Sequence, residues 1–429
     1  MQPPAALNEA RLHHESADEP AGRTVLMVGA SVRAAAQSAS AGGYRVVGID
    51  QFGDRDAVAA CDEFALLDDV DRVAELLSRY AETPLIQVGG LSGIQDWLGT
   101  HPVARPRLSP SIEIQEQLAD PNVLRKLANE SGFSFPQTLE ANPLALEAVD
   151  DPPKGAIPTG RWLYKPRSGS GGIGIQWLDR PRPEKDGWIQ RWVAGRSFGA
   201  TLLVRPGLSQ LLGVCRSTFH RISAADESVY PFVYGGSFGP IACDPVACNP
   251  VACNPVACDP GLADRLISLG HSIRDASGLA GLCNVDFLVD RNQTPWLIEI
   301  NPRWSGSSEL VERGREIPSL LALAINQKKL FQTDSPHRDA VLKKVVFASV
   351  GFRFRLEPVV DGLPPAVQIA DIPAEGTEIL AGWPVCSLIG NPSDVVRASR
   401  KIGRRFAILS GQKLPFVVET TPITSPDAI

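Results

Sequence analysis

A short segment near residue 300 places the tightest constraint on what this chain can fold into. Residues 296–301 alternate polar and apolar side chains, as a strand with one buried face does. This alternation puts Glu299 and Asn301 on one face. It makes Ile298 and Ile300 face the core. Two oxygen-bearing side chains are therefore predicted to share one surface of a sheet.

The residues just before this strand predict a hairpin. Residues 285–290 form a second apolar strand with Asp286 near its start, and the polar turn 291–294 joins the two strands. Such a hairpin brings Asp286 opposite Glu299. Carboxylate and amide oxygens suit Mg²⁺, which takes its remaining ligands from water and nucleotide phosphates. Arg303 adds a fork of donors for phosphate or carboxylate oxygens. The alternative is an ordinary half-exposed strand whose polar face is only solvated.

Size and composition limit the class of protein. A chain of 429 residues is too long for one ordinary core and predicts roughly two to four domains. With 44% hydrophobic residues, 21% charged residues and a net charge of −6, the composition is that of a globular protein without a basic surface for nucleic acid. No apolar run approaches the roughly 20 residues that span a bilayer, and the N-terminus does not resemble a leader peptide. We expect no nucleic-acid partner, no membrane segment and a cytoplasmic location.

Two segments are predicted to lie outside the folded core. Residues 1–22 are polar and lack apolar periodicity, which predicts a disordered tail. A low-complexity loop at 240–260 repeats the motif Pro-Val-Ala-Cys and contains four of the eight cysteines. Its cysteine spacing differs from the close pairs of zinc sites, and its prolines block a helix or a central strand. We expect a loop without catalytic function, with metal binding or a disulfide as the alternative. The other cysteines are predicted core residues, namely Cys61, Cys215, Cys283 and Cys386.

Strand and helix signals alternate over residues 23–110. Near-continuous apolar runs, the first at 24–29 and the second at 45–50, are separated by helix-compatible segments, which predicts an open, doubly wound sheet. The first turn, residues 29–31, lacks the full G-x-G-x-x-G of dinucleotide sites, although Asp50 lies where a ribose-binding acid would be expected. A nicotinamide or flavin site is therefore the less favoured interpretation.

A glycine-rich segment follows a strand that ends in a cation. The predicted strand is 162–166, and its cation is Lys165. The loop after it contains Ser168, Gly169, Ser170, Gly171 and Gly172. Glycines let a backbone fold closely over phosphates and turn its N–H groups toward them. Because this loop joins strand to strand, it differs from a Walker loop, which opens a helix. Taken alone, the segment could equally be a mobile turn.

The glycine loop followed by the hairpin, in this order, resembles the ATP-grasp superfamily. Residues 286–290 followed by 297–303 match the metal-binding signature of that family in residue type and spacing, and the resemblance is strongest over 110–330. The site residues that it implies are the metal ligands Asp286, Glu299 and Asn301 and the catalytic cations Arg303 and Lys165. The implied cofactors are ATP and Mg²⁺, or Mn²⁺ in place of Mg²⁺.

The resemblance also assigns nucleotide contacts. It implies that the loop at 168–172 covers the phosphates, and that Trp192 and Val193, at the hinge between two lobes, contact the adenine edge. The family often has a ribose-binding acid where this chain has Ser197, and Gln190 is the candidate substitute.

One further family position is changed in the entry helix. Pro121 stands where a lysine is usual, and Lys126, about one turn later, is the candidate replacement for phosphate contact. The open alternative is that no residue of this helix reaches the phosphates.

The predicted fold class is α/β, with an α+β nucleotide-binding part. An open, doubly wound, Rossmann-like domain spans 23–110, and a two-lobed ATP-grasp domain spans 111–330, with lobes of about 111–189 and 190–330. A β-rich accessory region without a catalytic set of its own covers 331–429.

Three local predictions concern segments near the site or beyond it. Residues 229–240, with two adjacent glycines, predict either a loop that overhangs the substrate or an ordinary glycine turn. Residues 317–328 predict a helix, and residues 372–376 predict a strand of the accessory region.

The resemblance implies an ATP-dependent ligase. A carboxylate would be activated as an acyl phosphate and joined to an amine, with release of ADP and phosphate, in the biosynthesis of a cofactor or an amino-acid-derived metabolite. The expected partners are small-molecule carboxylate and amine substrates. The oligomeric state is open, with a homodimer as one expectation because dimers are the commonest assembly. Two alternatives are a small-molecule kinase and a nucleotide-binding protein without turnover.

Overall fold

The computed structural model describes nine stretches of the chain. They are residues 23–89, 108–141, 161–167, 169–178, 186–223, 229–241, 261–326, 340–356 and 362–409. The predicted tail at 1–22, nearly all of the cysteine-repeat loop and Ser168 lie outside the described residues. Among the helices in these stretches, none is long and apolar enough to cross a membrane.

The N-terminal part is a parallel sheet with the strand order β3-β2-β1-β4. Its strands are β1 (Thr24–Gly29), β2 (Arg45–Asp50), β3 (Glu63–Leu66) and β4 (Leu85–Val88), and its helices are α1 (Arg33–Ala41), α2 (Arg55–Ala60) and α3 (Val70–Arg79). The apolar residues of β1 and β2 are buried, as expected for strands covered on both faces. This arrangement confirms the predicted doubly wound sheet.

Two helices and a small antiparallel sheet come next. The helices are α4 (Ile112–Ala119) and α5 (Pro121–Glu130), and the strands are β5 (Thr138–Ala141), β6 (Trp162–Pro166), β7 (Gln176–Trp177) and β8 (Gly187–Arg191). The strand order is β5-β8-β6-β7. Pro121 begins α5, where its missing N–H costs nothing, and the Asp120 side chain caps the helix by accepting from the Asn122 N–H. The change to proline is thus well suited to a helix start.

The largest sheet has eight strands, in the order β13-β12-β9-β10-β11-β14-β18-β16. Its strands are β9 (Arg196–Arg205), β10 (Leu208–Ser223), β11 (Val229–Ile241), β12 (Gly281–Val289), β13 (Pro295–Asn301), β14 (Val341–Phe347), β16 (Gln368–Ala370) and β18 (Pro384–Gly390). A separate two-stranded sheet pairs β15 (Phe352–Arg353) with β17 (Glu378–Ile379). The helices are α6 (Leu262–Ser277), α7 (Ser308–Gly314), α8 (Leu320–Ile325) and α9 (Pro392–Leu409). Strands from beyond residue 340 therefore extend the same sheet that holds the hairpin.

Three local predictions were wrong. Residues 229–240 belong to the strand β11, because this segment pairs with β10 on one side and β14 on the other. A Cβ on Gly236 would lie 2.1 Å from the Lys343 carbonyl oxygen, so this glycine serves a close approach between strands and does not mark a turn. The helix expected at 317–328 is the shorter α8, preceded by the unpredicted α7. Residues 372–376 are not a strand; β16 ends before them.

Two hydrophobic cores cover the two faces of the large sheet. One packs α6 against β9, β12 and β13, and includes Phe198, Phe287 and Leu266. The other joins α1 of the N-terminal part to α7, α8 and the opposite sheet face, and includes Trp304. Trp304 also forms a parallel bridge with Val88 at the end of β4. The N-terminal sheet is therefore anchored directly beside the end of the hairpin.

Candidate active site

The hairpin brings its two carboxylates together. Strands β12 and β13 pair with Asp286 opposite Glu299, which is the predicted pairing. The next pair is Phe287 with Leu297, so Ile298 is an extra residue at a β-bulge. The prediction that Ile298 faces the core was therefore wrong. The bulge breaks the strict alternation, and Leu297 joins the core.

Two amide side chains hold Asp286 from both sides. Asn284 Nδ2 donates to Asp286 Oδ1 and Asn301 Nδ2 donates to Asp286 Oδ2, each at 2.9 Å. Arg303 donates in turn to Asn301 Oδ1, also at 2.9 Å. Asn284 was not predicted from the sequence. Its position two residues before Asp286 on the same strand, and hence on the same face, is the signal that could have found it.

Asp286 lies in an environment that disfavours its charge. Burial and, after it, the neighbouring charge of Glu299 raise the pKa of Asp286 to about 7. The hydrogen bond from Asn284 and the positive charges of Arg303 and Lys165 act in the opposite direction. Two carboxylates that face each other in this way are suited to a divalent cation, which would remove their repulsion.

The chemistry of the donors fits Mg²⁺ bound together with a nucleotide. Asp286 and Glu299 provide two carboxylates. The amide oxygen of Asn301 accepts from Arg303 and would have to exchange this contact for the metal. Within the described stretches, no group of three His, Cys, Asp or Glu side chains could hold a metal by itself. A set of two carboxylates leaves ligand positions for phosphate oxygens and water, as Mg²⁺ sites in phosphoryl-transfer enzymes do.

A serine-rich turn orients the Asn284 amide that donates to Asp286. The hydroxyls of Ser305 and Ser307 donate to Asn284 Oδ1, at 3.1 and 3.2 Å. The neighbouring strand makes room at Gly199, where a Cβ would lie 3.2 Å from Asn284 Oδ1 and 3.3 Å from Asp286 Oδ1. The orientation of Asp286 therefore depends on this turn as well as on the hairpin.

Lys165, on the small sheet, acts electrostatically on Asp286, and the glycine loop that follows it contacts β11 of the large sheet. The charge of Lys165 lowers the pKa of Asp286, which places the ammonium group within Coulombic reach of the carboxylates. The Tyr234 N–H donates to the Gly171 carbonyl oxygen at 2.8 Å. A Cβ on Gly172 would lie 1.8 Å from the Phe232 carbonyl oxygen, so only glycine allows this contact. Gly169 and Ser170 precede this contact, and Ser170 O accepts from the Ile173 N–H at 3.2 Å within a turn. The loop thus closes onto β11 of the large sheet.

The hinge residues form an aromatic group. The rings of Trp192 and Trp177 meet edge to face at 5.7 Å, and the Arg161 guanidinium lies 3.9 Å from the centre of the Trp177 ring. Val193 is half-buried beside them, and Ser197 lies on β9 opposite Leu288. The adenine role of Trp192 and Val193 stays a prediction, and Trp177 is a residue that the sequence did not bring forward.

Two candidates for nucleotide contact are not gathered with the carboxylates. Gln190 is buried, and its Nε2 donates to Thr138 Oγ1 at 3.1 Å. Lys126 lies on the outer side of α5, where its side chain is 72% exposed and its ammonium group is 3.9 Å from Glu130. An exposed pair of this kind is a common helix-surface feature. The replacement of the missing ribose acid and entry-helix lysine therefore stays a prediction.

Asp50 has a local role in the N-terminal sheet. Its carboxylate accepts the Val32 N–H at 2.7 Å, at the start of α1, and the N–H groups of Phe52 and Gly53 at 2.8 Å. A carboxylate with three backbone donors orders its own turn.

Comparison with known proteins shows likeness in structure. No protein-family model matches the chain, and no curated protein matches it. The crystal structure of N5-carboxyaminoimidazole synthetase from Staphylococcus aureus complexed with ADP aligns with a TM-score of 0.62 and 13% identity, over 90% of this chain and 97% of that one. Biotin carboxylase from Campylobacter jejuni aligns with a TM-score of 0.61 and 12% identity, over 89% and 91%.

A third structural neighbour is named for a different activity. L-amino acid ligase from Bacillus licheniformis aligns with a TM-score of 0.60 and 13% identity, over 89% of this chain and 97% of that one. These neighbours are ATP-grasp enzymes, and at such low identity the likeness speaks for architecture only. Each alignment covers about nine-tenths of this chain. The chain therefore has the ATP-grasp fold.

Proposed function

We propose that this chain is an ATP-dependent, Mg²⁺-requiring ligase that joins a carboxylate to an amine. The observation that carries the proposal is the facing pair of Asp286 and Glu299, with the charges of Lys165 and Arg303 in reach of Asp286. The structural neighbours support it, because they include a synthetase complexed with ADP and an L-amino acid ligase. ATP and Mg²⁺ are the proposed cofactors, and Mn²⁺ can take the place of Mg²⁺.

The reaction has two steps that balance without a protein nucleophile. A carboxylate oxygen of the first substrate attacks the terminal phosphorus of ATP, and the bond from that phosphorus to the ADP oxygen breaks. The amine nitrogen then attacks the acyl carbon, the carbon–oxygen bond to phosphate breaks, and the nitrogen loses a proton. The products are an amide, ADP and phosphate.

The residues of the site match what phosphoryl transfer requires. Such transfer is catalysed mainly by alignment and by neutralisation of charge. Lys165 and Arg303 are proposed to hold phosphate or carboxylate oxygens, and Asp286, Glu299 and Asn301 are proposed to hold the metal. When bound, the metal supplies positive charge at the phosphate oxygens. The glycine loop, which closes onto β11, is proposed to exclude water from the reactive acyl phosphate.

The proposal also covers the substrates, the oligomeric state and the cellular location. The biotin carboxylase domain of 2-oxoglutarate carboxylase from Hydrogenobacter thermophilus, which aligns with a TM-score of 0.62, is described as a dimer in complex with MgADP and bicarbonate. It supports small-molecule substrates and a homodimer here. The cytoplasmic location stays a prediction.

A phosphate-release screen tests the reaction. The protein is incubated with ATP, Mg²⁺ and crossed pools of carboxylates and amines, and products are identified by mass spectrometry. We expect phosphate release that depends on both pools, together with a new amide. A phosphorylated product would favour the kinase alternative, and ATP binding without turnover in every pool would favour the non-enzymatic one.

A further inference from the structure

A buried arginine of the N-terminal part reaches deep into the rest of the molecule. Arg33, in the first turn of α1, is 1% exposed. Its two terminal nitrogens donate to the two carboxylate oxygens of Glu309, at 2.8 and 2.9 Å. This is a bidentate contact, which fixes orientation as well as distance. The two residues are 276 positions apart in the sequence.

Glu309 collects cations from all three parts of the chain. Besides Arg33, it contacts Arg313 at 2.9 Å and Lys343 at 3.2 Å. Asp371 completes the group by accepting from Arg33 Nε at 2.7 Å and lying 3.7 Å from Lys343. We call these five residues the Arg33 cluster. A rearrangement of the domains would have to break several buried ion pairs at once.

The Arg33 cluster is joined to the hairpin by a short hydrogen-bonded path. Glu309 follows Ser308 in the first turn of α7, and the Ser308 hydroxyl accepts the Ser305 N–H at 3.1 Å. The hydroxyls of Ser305 and Ser307 donate to Asn284 Oδ1, and Asn284 Nδ2 donates to Asp286. A rotation of the α7 entry would therefore turn the Asn284 amide away from Asp286.

We infer that Arg33 is a positioning residue for the metal site. By fixing Glu309 through both carboxylate oxygens, it holds the 305–308 turn in the register that keeps the Asn284 amide on Asp286. The N-terminal part thus completes a site whose proposed ligands all lie on the large sheet. This inference rests on the proposed function, because it takes Asp286 as a metal ligand.

Stability alone is a poor explanation for the Arg33 cluster. Taking charged groups out of water costs several kcal/mol per ion, and replacing a buried ion pair by apolar side chains is often neutral or stabilising. The same interface already contains an apolar core between α1, α7 and α8. What the bidentate contact adds is a fixed orientation at one point of the interface, next to the turn that supports Asn284.

The test measures metal binding without turnover. Binding of Mn²⁺ to the complex of the full chain with ADP is followed by electron paramagnetic resonance of the free ion, and binding of ADP alone is followed by calorimetry in EDTA. For Arg33→Met we expect Mn²⁺ binding about 3- to 10-fold weaker, at or below the 10- to 100-fold typical of residues that contact a metal ligand directly. The affinity for ADP in EDTA should not change.

Two other variants separate positioning from general loosening. Arg33→Lys keeps the charge but lacks the planar fork, so we expect a loss between wild type and Arg33→Met. Ser38→Ala is the matched control, because Ser38 lies on the same helix, is buried, and bonds to Glu312 and to the Leu321 N–H without touching Glu309. It should lower the melting temperature and leave Mn²⁺ binding unchanged.

Ser307→Ala covers the case in which Arg33→Met does not fold. It leaves the Arg33 cluster intact and removes one donor to Asn284, and we expect about 2- to 10-fold weaker Mn²⁺ binding. Wild-type Mn²⁺ affinity in folded Arg33→Met would overturn the inference. If Arg33→Met is unfolded, wild-type Mn²⁺ affinity in Ser307→Ala would do so. A loss of Mn²⁺ affinity in Ser38→Ala as large as that in Arg33→Met would also overturn it. If the wild-type protein itself binds no Mn²⁺ with ADP, the proposed function fails instead.

Discussion

Asp286 and Glu309 are two carboxylates at opposite ends of one hydrogen-bonded path, and their pKa values move in opposite directions. Burial, together with the charge of Glu299, raises the pKa of Asp286 to about 7. Burial alone would also raise the pKa of Glu309, but the charge of Lys343 and the hydrogen bonds and charge of Arg33 hold it well below its ordinary value. Each carboxylate reports the charges that the protein has placed around it.

The difference distinguishes a completed site, whose carboxylate is paired with cations of the protein, from an open site, which can accept a further cation. Glu309 contacts three cations directly. In the described part of the chain, neither hairpin carboxylate forms a direct ion pair, although the charges of Arg303 and Lys165 reach Asp286. The Arg33 cluster is neutralised by the protein itself, whereas the hairpin has a place for a further cation. Buried groups with such perturbed pKa values are typical of functional sites.

Among the variants that test this comparison, Glu309→Gln is expected to have the largest effect on stability. Removing one partner of a buried ion pair leaves the other charges uncompensated, and we expect a loss of about 3 to 5 kcal/mol in the free energy of unfolding. Urea unfolding of the full chain measures it. Glu378→Gln, which changes an exposed side chain of β17, is the control and should have almost no effect. A loss below about 1 kcal/mol for Glu309→Gln would show that the cluster is not a tightly coupled unit.

The next variant, Glu299→Gln, acts on the open side of the comparison. The amide keeps the size of the side chain but removes one of two proposed metal carboxylates, so we expect at least about a 100-fold loss of phosphate release. The fold should persist, because no ion pair is broken. Circular dichroism and the melting temperature check this point. Wild-type turnover in this variant would remove Glu299 from the metal site.

The contrast also explains which features the sequence could predict. The pairing of Asp286 with Glu299 depends on one hairpin and one alternation, and both are local. The bulge at Ile298 is local too, but no residue there demands it, so it was missed. The contact of Arg33 with Glu309 spans 276 positions. Nothing in either neighbourhood encodes such a partner.

Long-range pairing likewise decided the other errors. Glycines at 235 and 236 predicted a loop, yet pairing with two neighbouring strands made β11 a strand, because an interior position in a sheet outweighs local propensity. The positions that the resemblance assigned outside the hairpin fared unevenly for the same reason. Lys165 is within Coulombic reach of Asp286, whereas the Lys126 side chain points to solvent.

Asp54, which interacts electrostatically with Asp371 and Arg33 of the Arg33 cluster, predicts a pH dependence of the free energy of unfolding. Burial, together with the charges of Asp371, Asp50 and Asp56, raises the pKa of Asp54 to about 8. The folded protein therefore holds this proton up to about pH 8, whereas the unfolded chain releases it near pH 4. Since the unfolded state binds fewer protons between these values, this group lowers stability as pH rises, by on the order of 1 kcal/mol per pH unit.

Asp54→Asn should remove that slope. We expect a flatter dependence of the unfolding free energy on pH between about 5 and 8, and a variant more stable than wild type at pH 8. Urea unfolding at several pH values measures it, with the exposed Asp68→Asn as control. Parallel curves for Asp54→Asn and wild type would mean that Asp54 is ionised in the folded protein.

The smallest expected effect is the most direct test of the open side. Asp286→Asn removes a carboxylate that repels Glu299 and whose ionisation is disfavoured by burial, but it also turns an NH2 group toward one of the two amide donors, Asn284 or Asn301. Because the relief of charge and the lost hydrogen bond offset each other, we expect the free energy of unfolding at pH 8 to stay constant within about 1 kcal/mol. Phosphate release should be lost in the same variant, because a proposed metal ligand is gone. Gain or constancy of stability with loss of function is the signature of charge held for a cofactor. A destabilisation as large as that of Glu309→Gln would show instead that Asp286, like Glu309, is compensated within the protein.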